Sequence, residues 1–403
     1  MASKPNLIAR EDGWPSQRFA RSLRQSAVRK GLRPPATIVA REGGLAMSSI
    51  RFALQNAYSH VITLLRSDWR GRPEAMSGDT VLVTGAGFSK AAGGPLLKEL
   101  LSPEFLGKSE ADRDALDAIV RLQADRPSLS IETLFTEILR MARTHGPMST
   151  TSGERWEASW LLRGLTTHLA SVCGELRVRR RSRLWNTYTE YLRWLRKDSK
   201  SLTVITFNYD LLLEHLFDDI KVRYEYGKRT GIEYDDPSRR SGIHRSLPFR
   251  RVQVLKLHGS ANWVVCRGCR KAKVQDDMVV AFEKPYIPRR KRTCPRCKDK
   301  PVESGIIPPV LEKSGESRHT GLVWLAARKA LQRSREIIVI GYSLPHTDAE
   351  ALSLFGEIAP PPNRPRITLV CGPKGAPETY SQIPSRSVDT KLYFEDYVAS
   401  ILG

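Results

Sequence analysis

The sequence predicts an α/β fold, a Rossmann-like parallel sheet with a helical insertion and a small zinc-binding module. Three observations predict it. Short apolar runs at Thr80–Thr84, Leu202–Thr206, Val252–Leu257, Glu336–Ile340 and Ile367–Val370 read as strands. Helical patterns separate them, and strands alternating with helices imply a parallel sheet covered on both faces. Two Cys-x-x-Cys pairs, Cys266/Cys269 and Cys294/Cys297, then mark a metal module between the third and fourth strands.

Taken in order, residues 1–48 are rich in Arg, Pro and Ser with no sustained apolar period, which predicts a flexible basic arm. Their nine Lys/Arg against three Asp/Glu supply +6 of the net charge. Residues 49–68 carry Ile50, Leu54, Ala57, Val61 and Leu65 on one helical face. Residues 109–198 hold helical patterns and no convincing strand. One is Ile131–Met141 behind Ser130 as N-cap, and others are Trp156–Leu176 and Leu184–Leu195. After Leu202–Thr206 comes a helix at Leu211–Phe217. Further helices are expected at Leu322–Gln332 and Ala349–Ile358. The expected layout is one domain over 49–403, with a helical insertion at about 104–200 and a zinc module at about 264–304.

Composition bounds the function. The 403 residues are 40% hydrophobic and 27% charged, a globular balance. Aliphatic runs such as Ile337–Ile340 are far short of the ~20 residues of a membrane span. The net charge of +22 and pI near 10.0 fit a polyanionic partner, and equally a basic solvated surface. Cysteines in pairs without a secretory leader suggest a reducing compartment, and a cytoplasmic location is expected.

Four motifs sit at strand ends. Thr80–Thr84 runs into Gly85-Ala86-Gly87-Phe88-Ser89, where glycines let backbone approach a phosphate. The same turn also suits a plain tight connection. Thr206-Phe207-Asn208-Tyr209-Asp210 brings Asn208 and Asp210 to a strand end, either toward a ligand crevice or as helix caps. His258-Gly259-Ser260 follows the third strand, and its His is a base or a loop brace. Gly341-Tyr342-Ser343-Leu344-Pro345, with Asp348 beyond, is a further nucleotide edge.

In this order the four motifs resemble the sirtuin family over about 80–400. Gly85–Ser89 matches that family's Gly-Ala-Gly-x-Ser phosphate loop. Thr206–Asp210 stands where sirtuins carry Thr-Gln-Asn-Ile-Asp, His258-Gly259 is like the pair supplying their base, and Gly341–Leu344 is similar to their Gly-Thr-Ser-Leu segment. The resemblance implies NAD as substrate. It implies Asn208 and His258 as catalytic residues, and Gly85, Ala86, Gly87, Ser89, Thr206, Asn208, Asp210, Gly341, Tyr342 and Ser343 as binding residues. Departures are also plain. The Asp-Phe-Arg element of deacylases is missing after Gly93-Gly94-Pro95. Gly305-Ile306-Ile307-Pro308-Pro309 replaces the acyl-lysine strand, and Phe207 replaces a Gln. These departures look like divergent bacterial sirtuin-like proteins that hydrolyse NAD in anti-phage defence.

The four paired cysteines, with 24 residues between the pairs, suit one structural zinc ion; Cys173 and Cys371 read as buried thiols. The expected function is NAD hydrolysis to nicotinamide and ADP-ribose. The alternatives are NAD-dependent protein deacylation and a non-catalytic nucleotide-sensing or nucleic-acid-binding scaffold. A homo-oligomer, a nucleic acid or a defence partner protein are the further expected partners.

Overall fold

Strand β1 (Asp79–Thr84) is buried from Thr80 onward, as a strand apolar on both faces must be. It leads into the short helix α1 (Ala86–Lys90). Helices α2 (Pro103–Leu106), α3 (Arg113–Asp125) and α4 (Ile131–Arg143) follow, then the strands β2 (Pro147–Ser149) and β3 (Arg155–Glu157). Helices α5 (Ala158–Gly174) and α6 (Arg183–Asp198) lead to β4 (Leu202–Thr206), α7 (Leu212–Asp219), β5 (Tyr224–Glu225) and β6 (Val252–Lys256). Next come β7 (Trp263–Cys266), β8 (Ala272–Val274) and β9 (Val302–Ser304). The chain closes with α8 (Gly321–Arg333), β10 (Ser334–Ile340), α9 (Ala349–Gly356), β11 (Arg366–Val370), β12 (Arg386–Asp389) and α10 (Phe394–Leu402).

The computed structural model describes residues 79–402, apart from 110, 200, 228–229, 231, 233–250, 267, 270, 275–293, 295–296, 298–301, 312–318, 359–363 and 384–385. All of them lie in the compact unit Ala75–Gly403. The basic arm expected at 1–48 and the helix expected at 49–68 lie outside the described residues. Among the described residues, no helix is long and apolar enough to cross a membrane.

Seven strands form one parallel sheet in the order β12-β11-β10-β1-β4-β6-β5. The chain leaves β1 toward β4 on one side and later returns to its other side as β10. That reversal makes the carboxyl end of β1 a topological switch point, where open α/β sheets place their ligand crevice. The register levels the strand ends there. Thr84 stands opposite both Ile340 and Thr206, and Thr206 stands opposite Lys256. The four segments that follow these residues therefore emerge side by side.

A first core cluster wraps the sheet, from Val81, Val204 and Val339 to Tyr188 and Tyr191 of α6 and Phe394 of α10. A second fills the space between α3, α4 and α5 and includes Val264, Ile306 and Val310. Ser130 caps α4 as expected, its Oγ accepting the Thr133 N–H at 3.1 Å. The hairpin of β2 and β3 departs from the sequence reading, which found no strand between 109 and 198. Three-residue strands show barely one alternation, too little to register as a period. Strand β12 and helix α10 extend the fold past the last element read from the sequence. β7, β8 and β9 form a separate antiparallel sheet in the order β8-β7-β9, beside the cysteine pairs.

Candidate active site and four-cysteine cluster

At the end of β1 the chain turns through Gly85 and Gly87 against the turn that follows β10. The Gly85 N–H donates to Ile340 O at 3.1 Å and the Gly87 N–H to Gly341 O at 2.8 Å. A side chain on Gly341 would put its Cβ 2.2 Å from the Phe88 nitrogen, and Gly341 also holds φ at +64°. Contact between two turns, backbone to backbone, thus requires these glycines whatever else the loop binds.

The loop after β4 is tied to the same turn. The Asn208 Nδ2 donates to Gly85 O at 2.9 Å and to Ser89 Oγ at 3.0 Å. Ser89 Oγ in turn donates to Asp210 Oδ2 at 2.7 Å. Asn208 caps no helix. It is Asp210 whose second oxygen accepts the Leu212 N–H, at 3.1 Å, at the start of α7. Asp210 is buried, and burial pushes its carboxyl above the usual range, against the pull of Lys256 and Ser89. Beneath it the Lys256 ammonium donates to the Asp210 carbonyl and pairs with Glu214 Oε1 at 3.0 Å.

His258 follows β6. Gly259, at φ +79°, lets the chain pass Gly305 O, which would lie 1.8 Å from a Cβ. The imidazole ring lies 5.3 Å from Phe207 and 6.4 Å from Tyr209, centroid to centroid. Asn208, between those two residues in the chain, and His258 both line one cleft. On the other side, Phe207 stacks on Tyr342 with centroids 3.7 Å apart and planes 3° from parallel. The Tyr342 hydroxyl donates to Asp348 Oδ2 at 3.0 Å, and that oxygen lies 3.5 Å from His258 Nε2.

These groups line a cleft of about 1770 Å³, with Ala86, Gly87, Ser89, Asn208, Asp210, His258, Gly341, Tyr342 and Ser343 on its wall. Gly85 and Thr206 are buried behind it, and Thr206 Oγ1 accepts the Asn208 N–H at 3.1 Å. The sequence reading did not single out the Lys256–Glu214 pair, and it left Asp348 without a role. A Lys inside an apolar strand, Val252–Lys256, was the available signal for the first. Cys173 is buried as expected. Cys371 is only half-buried and reaches the cleft, its thiol pushed up to about 12 by burial.

Away from the cleft, the Sγ atoms of Cys266, Cys269, Cys294 and Cys297 all lie within 4.8 Å of one another. The Cys269 and Cys294 sulfurs are 3.9 Å apart, close to the ~3.8 Å edge of a tetrahedron with 2.3 Å zinc–sulfur bonds. The N–H groups of Gly268 and Cys269 donate to Cys266 Sγ, at 3.2 and 3.4 Å. Four sulfurs in this arrangement could hold zinc with no open position for chemistry.

The family model for the SIR2-like domain matches residues 202–354. That stretch resembles a SIR2-like domain. The matched stretch contains Asn208, His258, the four cysteines and Gly341–Ser343, so this sirtuin-like region holds three of the four strand-end motifs. Comparison with curated proteins returned no match. Among solved structures, a Sir2 homologue–NAD complex is 17% identical with a TM-score of 0.35, over 80% of this chain and 90% of that one. Sir2Tm bound to a propionylated peptide is 15% identical with a TM-score of 0.37, over 80% and 91%. Similarity at that level says nothing about chemistry.

Proposed function

We propose that the protein cleaves the bond between nicotinamide and ribose in NAD, with water as acceptor, giving nicotinamide and ADP-ribose. The observation that carries this reading is the convergence of Asn208, Asp210 and His258 on one cleft at the switch point of the sheet. Nicotinamide leaves as a neutral group from an already cationic nitrogen, so departure needs no general acid. It needs a site that tolerates positive charge on the ribose and places the nucleophile. Asn208 orients the attacking water beneath the anomeric carbon. His258 accepts the water proton as oxygen bonds to carbon and the bonding pair leaves with nicotinamide. Asp210 holds the carboxamide of nicotinamide. The Gly85–Ser89 and Gly341–Ser343 turns face the phosphates and adenosine.

Packing of Ile306 and Ile307 in the core supports water over acyl-lysine as acceptor, since the segment after the cysteines is committed to the fold. We also propose that Cys266, Cys269, Cys294 and Cys297 hold one structural zinc ion.

Purified protein incubated with NAD, with and without an acetylated peptide, tests the reaction. Nicotinamide release without peptide is expected, and strict dependence on peptide would make the protein a deacylase instead. His258→Ala and Asn208→Ala are each expected to lower turnover by about 10²–10⁴-fold. Asn208→Ala also removes the tie between two turns, at about 1 kcal/mol of stability. Near-normal turnover in either variant defeats the mechanism.

A further inference from the structure

We propose that Asp348 is the positioning carboxylate of His258. It holds the imidazole by Nε2, keeps the proton there, leaves Nδ1 as the basic nitrogen, and balances the imidazolium once that nitrogen has taken a proton. This rests on the reading of His258 as the base in NAD cleavage.

The geometry carries it. Asp348 Oδ2 faces His258 Nε2 at 3.5 Å, with the two side chains 5% and 8% exposed. A gap of that length in a ligand-free site commonly tightens when substrate binds. The carboxylate is itself fixed twice. Tyr342 donates to Oδ2 at 3.0 Å, and Oδ1 accepts the Ala351 N–H at 3.4 Å as the N-cap of α9. A carboxylate held by both oxygens and aimed at a ring nitrogen fixes which tautomer the ring adopts.

Phe207 and Trp324 of α8 are neutral rings. Tyr209 and Tyr342 keep their hydroxyl protons, because burial pushes both well above the usual phenol range. Glu132 of α4 lies on the same cleft wall and accepts from the Thr347 hydroxyl at 3.2 Å. Asp210 is tied to Ser89, and Lys256 to Glu214. Balance is simple in this scheme. The water proton moves to His258 Nδ1, the new bond joins water oxygen to the anomeric carbon, and the proton later leaves to solvent.

Asp348→Asn tests it, because its one amide oxygen can still cap α9, while the amide nitrogen that replaces Oδ2 beside Tyr342 and His258 is a neutral donor. Three quantities are read: melting temperature, the His258 imidazole pKa by NMR, and kcat and KM for NAD against pH. A nearly unchanged melting temperature is expected. The loss of a neighbouring negative charge should lower the imidazole pKa and the acid limb of kcat by about one unit. kcat should fall by about 10²-fold or more, with KM little changed. An imidazole pKa and acid limb as in wild type would overturn the proposal. So would a rise in KM alone, which would put Asp348 on the substrate. If wild type turns over no NAD but the imidazole pKa still falls in the variant, the reaction assignment fails and the pairing stands. Should Asp348→Asn fail to fold, Asp348→Ser, also a capping residue, is read the same way.

Discussion

Lys256 and Glu214 pair at 3.0 Å with side chains only 1% and 4% exposed. Tyr226 adds a hydroxyl donor to Glu214 at 3.1 Å, and Asn262 donates to that hydroxyl at 3.3 Å. Such a pair brings little net stability, yet breaking it from one side strands a buried charge. Lys256→Met should therefore lower stability by about 3–5 kcal/mol in urea denaturation, and adding Glu214→Leu should restore most of it. A small loss in the single variant would mean that water reaches Glu214. The pair also fixes the Asp210 carbonyl, so it braces the loop carrying Asn208.

Among the elements, the turns after β1 and β10 depend on each other most. Gly341→Ala forces a side chain into φ +64°, at about 1–3 kcal/mol for the backbone alone, and the 2.2 Å approach to Phe88 N adds to it. The variant should lose its native melting transition or show it well below wild type in calorimetry. Among the described residues, the cysteine cluster sits beside the short strands β7, β8 and β9, so a bound metal should supply much of the local folding free energy. Elemental analysis should give about one zinc per chain, as expected of a four-thiolate site. A chelator should lower the melting temperature, and so should Cys269→Ser. A metal-free protein with unchanged melting would remove zinc from the account.

For the molecule as a whole, acid should be destabilising. His168 is fully buried, and its Nε2 lies 2.7 Å from Leu100 O. Among the described residues its Nδ1 has no hydrogen-bond partner. Burial is the largest cause and depresses its pKa, and burial likewise depresses that of His215. The unfolded chain binds these protons first. The stabilising contribution of a neutral His168 is thus complete above about pH 6.5 and is lost as pH falls toward the folded value. Melting temperature should fall between pH 7.5 and pH 5, and His168→Gln, which needs no neutral imidazole, should flatten that fall. An unchanged slope in the variant would assign acid sensitivity elsewhere. The net charge of +22 adds general repulsion at low pH.

The alternation of apolar runs with helical patterns was enough to specify a parallel α/β sheet, because a strand buried on both faces has few polar residues to confuse the period. Ser130 as a cap and the paired cysteines were legible for the same local reason: each needs only its own few neighbours. The hairpin of β2 and β3 was not, since strands of three residues gain their order from partners. The glycines at 85, 87 and 341 were visible, but that they serve each other across two turns depends on strand register. Likewise Asp348 and His258 are 90 positions apart, and Lys256 meets Glu214 from another element. Sequence determines which groups stand at the ends of strands. Only the levelled sheet, with its reversal at β1, decides which of them face one another, because that depends on how distant segments close against a common core.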